Sequence, residues 1–189
     1  MKQRSKMLMK GDNMSKPALI IIDMQVGILE DPDFPILQAQ QLIDNINHLI
    51  EKARGNDALI IFIRHTEAVG SPLEIHQAGW QISTHLQLHS SDLVIDKYTP
   101  DSFYKTSLRD VLDKHDVKHL IITGVQSEYC IDTTCRSAFA LGYGTILIED
   151  GHSTCDSNSL LADQIIKHHN QVLGNWFVTL RKHDMIDFD

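Results

Sequence analysis

The chain has 189 residues and a mass of 21.4 kDa, which is room for one domain that buries about two-thirds of its unfolded surface without a disulfide or metal staple. A composition of 42% hydrophobic and 22% charged residues excludes a disordered or fibrous class. Seventeen Lys and Arg against 25 Asp and Glu give a net charge of -8, so the basic footprint of a nucleic-acid partner is missing, and no apolar run approaches the roughly 20 residues that span a bilayer.

Residues 1–16, with Met1, Met7, Met9 and Met14 among Lys, Ser, Gly and Asp, read as a flexible tail without a secretory pattern, and the ordered domain is expected over 17–189. A cytoplasmic location follows as the expectation. Cys130, Cys135 and Cys155 are odd in number and form no CxxC, so neither a disulfide framework nor a zinc knuckle is indicated.

Pro17 to Asp23 is a short apolar run of the kind that forms a central parallel strand covered on both faces. Helical spacing then runs from about Ile36 to Arg54, Gly55-Asn-Asp breaks it, and Ala58 to Arg64 supplies a second buried strand. His65 to Ser91 is an irregular excursion, broken by Gly70, Pro72 and Gly79, with a short helix expected around Gln81 to Leu88. Asp92 to Lys97 reads as a third strand, Thr106 to His115 as a helix, and His119 to Gly124 as a fourth strand. Tyr129 to Leu141 reads as a helix, Gly144 to Asp150 as a strand, Ser157 to Leu173 as a helix, and Asn175 to Leu180 as a sixth strand at the sheet edge. Strands separated by helical crossovers predict a three-layer α/β/α sandwich with a mostly parallel, six-stranded, Rossmann-like central sheet.

Such sheets bind ligands beyond the carboxyl ends of their strands, which directs attention to Asp23, Arg64, Lys97, the Gly124 turn and Asp150. Cys130 follows that turn in the first turn of a helix. A thiolate is favoured by a nearby cation and by a helix amino terminus, so Lys97 and the turn are suited to activating Cys130, with Asp23 as the proton carrier. Backbone N-H groups from Gln126 to Cys130 are natural donors to an oxyanion. Each residue also admits a plainer role: a buried inert thiol, a loop-capping carboxylate, a solvated lysine.

Ile22-Asp23-Met24-Gln25, Ile63-Arg64, Asp96-Lys97, Gly124-Val-Gln-Ser-Glu-Tyr-Cys130 and Glu149-Asp150, in that order, resemble the isochorismatase-like cysteine hydrolases, which include nicotinamidases and N-carbamoylsarcosine amidohydrolase. The resemblance runs from about Pro17 to Leu173. It implies Asp23 as acid and base, Lys97 as the catalytic lysine, Cys130 as nucleophile, and a cis peptide between Val125 and Gln126. A nucleophilic cysteine favours C-N hydrolysis over the vinyl-ether reaction of the isochorismatases proper. Ile63-Arg-His-Thr-Glu67 lacks the Asp-x-His metal motif of the nicotinamidases. The expectation is a hydrolase without metal or cofactor that acts on a small-molecule amide or carbamoyl group, with nicotinamidase-like deamidation and a catalytically silent binding protein as the alternatives. Family members commonly associate, so a homo-oligomer is expected.

Arg64, Trp80, Phe103 and Tyr129 are candidate pocket residues, each with a structural alternative in packing or ion pairing. The eleven histidines, His65 among them, form no compact ligand motif and read as surface or hydrogen-bonding groups. Cys135 reads as core, because five positions turn it about 140° away from Cys130 on a helix.

Overall fold

The first strand, β1 (Ala18–Ile22), is buried at every position, and its residues alternate between two cores. Leu19 and Ile21 face one core and Ala18, Ile20 and Ile22 face the other, as the period of two requires of a strand covered on both sides. These observations come from a computed structural model that describes residues 16–188; the tail read from 1–16 therefore lies outside the described residues except for Lys16.

Five further strands pair parallel to their neighbours: β2 (Ile60–His65), β3 (Leu93–Lys97), β4 (His119–Val125), β5 (Gly144–Ser153) and β6 (Thr179–Arg181). Their order is β3-β2-β1-β4-β5-β6, so the direction of winding reverses between β1 and β4. That reversal opens a crevice at the carboxyl ends of these two strands.

Among the described residues, five α-helices connect the strands: α1 (Val26–Leu29), α2 (Ala39–Gly55), α3 (Leu108–Lys114), α4 (Asp132–Ala140) and α5 (Ala162–Trp176). The apolar stripe of α2, including Leu42, Ile46, Leu49 and Ile50, covers one face together with Ile186 and Phe188 from the carboxyl end. Leu108 and Leu112 of α3, Cys135 and Ala138 of α4, and Leu173 of α5 cover the other. The three layers follow from this partition.

Several boundaries differ from the sequence reading. The helix expected over Gln81 to Leu88 is absent, because the segment pairs elsewhere: Gln25 and Ile82 form an antiparallel bridge, Val26 N-H donates to Gln81 O at 2.9 Å, and Ser83 N-H to Met24 O at 3.0 Å. Backbone groups engaged across the crevice are unavailable for intrahelical bonds. β5 continues past Asp150 to Ser153, and Asn175 belongs to α5 rather than to β6. Before α4, Ser127–Ile131 forms a π-helical turn, so Cys130 sits in that wider turn and not in an α-helical one.

Candidate active site

Asp23 follows β1 directly, with a left-handed backbone (φ 55°) fixed by its N-H donating to Ile63 O at 2.9 Å. Lys97 is the last residue of β3, in register with His65 at the end of β2. Cys130 comes from the turn after β4. Strand ends thus deliver three residues that are far apart in sequence to one point.

Lys97 Nζ lies 2.7 Å from Asp23 Oδ2 and 3.1 Å from Cys130 Sγ. It also donates to Thr99 O at 3.2 Å and lies 3.2 Å from His65 Nδ1. Lys97 is 0% exposed and Asp23 is 1% exposed, so this is a buried ion pair held by additional polar partners. Burial alone would lower the Lys97 pKa, but the Asp23 carboxylate and Cys130 hold the ammonium above its usual range. Burial and then Lys97 keep His65 below its ordinary value, which favours a neutral ring accepting at Nδ1.

The thiol behaves differently from the sequence expectation of a depressed pKa. Burial pushes Cys130 up to about 12, the Asp23 charge adds to the rise, and Lys97 opposes it. Burial therefore favours the neutral thiol over the thiolate at this position.

The peptide bond between Val125 and Gln126 is cis. Gly124, just before it, has φ 122° and stands in register with Ile22; a Cβ there would lie 2.7 Å from Ile22 N and closer still to Ile22 O. Only glycine admits that approach.

Behind the turn, Ser127 Oγ lies 2.8 Å from His152 Nδ1, His152 Nε2 lies 2.9 Å from Asn170 Oδ1, and Asn170 Nδ2 donates to Glu149 O at 3.1 Å. A carbonyl can only accept, so the chain has one polarity: Asn170 donates to Glu149, His152 Nε2-H donates to Asn170, and the Ser127 hydroxyl donates to His152 Nδ1. Burial pushes His152 down to about 4, which keeps the ring neutral in that role.

Two chambers open from the cluster. The smaller, about 250 Å³, is lined by Asp23, His65, Pro100, Gln126, Tyr129 and Cys130, among others. The larger, about 490 Å³, shares Ile28, Glu67, Leu73, Gln126 and Tyr129 with it and continues outward. Their sizes suit a small ligand.

Of the four candidate pocket residues, only Tyr129 lines these chambers. Arg64 binds Asp96 through two nitrogens, at 2.7 and 3.3 Å, and its guanidinium stacks 3.3 Å from the centre of the Trp80 ring. Neighbouring strand residues face opposite ways, so the register that brings His65 to Lys97 turns Arg64 and Asp96 away. Trp80 is buried, donating to Thr66 Oγ1 at 2.8 Å. Phe103 stacks on Tyr143 at 5.6 Å, in a depression beside α4 that is separate from both chambers.

Of the two roles the sequence leaves open for His65, surface or hydrogen-bonding, the structure shows the second, and Gln25, to which the sequence assigns no role of its own, is engaged as well. Gln25 Nε2 donates to His65 O and Trp80 O, both at 2.9 Å, and Oε1 accepts His65 N-H at 2.7 Å, which ties β1 to β2 and the excursion. The Asp-x-Gln spacing and the alignment of His65 with Lys97 at adjacent strand ends were the available signals. Among the described residues, no group of three or more His, Cys, Asp or Glu is arranged to hold a metal ion, and no helix is long and apolar enough to cross a membrane.

Comparison with known proteins agrees with this architecture. Streptothricin hydrolase of Streptomyces noursei is 30% identical over 74% of this chain, which spans about half (50%) of that protein's length. Ureidoacrylate amidohydrolase of Klebsiella pneumoniae is 27% identical, over 84% of this chain and 81% of its own length. A crystal structure of an isochorismatase family protein superimposes with a TM-score of 0.84 at 35% identity, covering 89% of this chain and 99% of that one. The isochorismatase domain model matches residues 17–175, so the sheet and its crevice are those of a hydrolase-associated fold, and the chain belongs to the isochorismatase family.

Proposed function

We propose that this chain is a cysteine hydrolase that cleaves a small amide, carbamoyl or related C-N bond at the mouth of the β1 and β4 crevice. The observation that carries the reading is the buried Lys97 Nζ within hydrogen-bond reach of both the Asp23 carboxylate and Cys130 Sγ, the latter two lining a chamber of ligand size. As Sγ attacks the carbonyl carbon, the thiol proton passes to Asp23 and the oxygen becomes an oxyanion, met by the N-H groups of Gln126 and Cys130. Lys97 balances the negative charge that builds up on sulfur. The tetrahedral adduct collapses to a thioester as Asp23 returns the proton to the departing nitrogen. Water then attacks the thioester, giving a proton to Asp23 while the carboxylic acid leaves and sulfur recovers its proton.

The names of the relatives support this reading, since one is an amidohydrolase and another hydrolyses streptothricin. The test is ammonia or amine release from an amide library, with intact mass to detect a trapped acyl adduct. Cys130→Ala is expected to abolish both signals while the fold survives, because alanine has no nucleophilic atom. Full turnover by Cys130→Ala would remove the proposed nucleophile.

A further inference from the structure

We propose that the substrate carries a cationic group, an ammonium or guanidinium, beyond the bond that is cleaved; this rests on the hydrolase reading above and names the substrate class of the same site. The larger chamber is lined by Asp31, Glu67, Glu128 and Asp156, and among the described residues no Lys or Arg lines either chamber. Among the described residues, none of these four carboxylates forms an ion pair with a Lys or Arg, and Glu67 alone has a basic side chain within reach, His65 Nε2 at 3.8 Å. The ammonium of Lys97 is committed to Asp23.

One buried oxygen in the larger chamber calls for a donor that the described residues do not supply. Glu128 Oε1 accepts the Thr154 hydroxyl at 3.0 Å, but its Oε2 is buried and unpartnered. A desolvated carboxylate oxygen left unmatched is costly, and a ligand rich in N-H groups relieves that cost. The aromatic rings agree: Phe34 is 59% and Tyr129 is 56% exposed on the same wall, and aromatic faces attract cations. An anionic ligand would meet these carboxylates in the larger chamber, whereas a cation is attracted by them.

The experiment uses three primary amides of equal length whose far end is an ammonium, a hydroxyl or a carboxylate. The ammonium compound is expected to have a kcat/KM about tenfold above the hydroxyl compound and about a hundredfold above the carboxylate. That preference should shrink as salt rises and in Glu128→Gln and Asp156→Asn, through KM more than kcat. A carboxylate compound turned over as well as the ammonium one overturns the proposal. Should no amide be turned over, the hydrolase reading fails, and the cation site is then judged by thermal shift of Cys130→Ser with the same three compounds. Selective stabilisation by the ammonium compound upholds the site, and equal response to all three overturns it.

Discussion

Two polar clusters bracket the turn from Val125 to Cys130, and they are built on opposite terms. On the crevice side, Asp23, Lys97 and Cys130 are charged or ionisable, and Asp23 Oδ1 has no partner. On the far side, the Ser127, His152, Asn170 and Glu149 chain is neutral and paired along its length. A network without loose ends can only hold its shape, whereas one with an open valence is arranged to receive something. The contrast separates the part that fixes the turn from the part suited to chemistry.

The strongest way to break the comparison is at Lys97. Lys97→Met strands the buried Asp23 carboxylate and should cost about 3–5 kcal/mol in urea unfolding. Adding Asp23→Asn to that variant should recover part of the loss, because the uncompensated charge is then gone. A double variant no more stable than Lys97→Met would mean that the pair is not coupled as its geometry indicates.

The far cluster should announce itself in acid. His152 is held at about 4 in the fold against an ordinary value of 6.5, so between those values the unfolded chain binds a proton that the folded chain refuses. Stability is therefore complete above pH 6.5 and falls as pH drops towards 4, by up to about 3 kcal/mol from this residue, with His65 adding in the same direction. Calorimetry of His152→Gln should show a shallower acid slope. An unchanged slope would mean that His152 does not set it.

Ser127→Ala leaves His152 Nδ1 without its donor and should cost about 1–3 kcal/mol, with Ser127→Thr restoring most of it. The smallest effect is expected at Phe103. Phe103→Leu gives up a stack on Tyr143 worth about 0.5–1.5 kcal/mol, and KM for any substrate should not move, since the ring faces neither chamber. A raised KM would return Phe103 to the site.

The sequence exposed the sheet readily because strands buried on both faces read as unbroken apolar runs, as in Ala18 to Ile22 and Leu120 to Ile122. Asp23, Lys97 and the Cys130 turn were legible for a related reason: a polar residue that ends such a run marks a strand end. What stayed hidden depended on partners far away in the chain. The segment around Ile82 gives up a helix to pair with Gln25, and Arg64 is taken by Trp80 and Asp96, contacts that no local spacing announces. The charge state of Cys130 was hidden too, because burial outweighs the neighbouring ammonium.

Gly124 bears on how this protein can be re-engineered. Its backbone rests on that of Ile22, so the spacing between the Asp23 strand end and the Cys130 turn is set by main chain against main chain. No change of side chains can lengthen or shorten that distance by degrees. For the proposed hydrolase, retuning towards new substrates therefore works through the chamber walls, at positions such as Asp31, Phe34 and Asp156, while the spacing of Asp23 and Cys130 stays constant. A library confined to those walls should yield altered selectivity at low cost in folded protein, and one that opens position 124 should yield mostly misfolded clones.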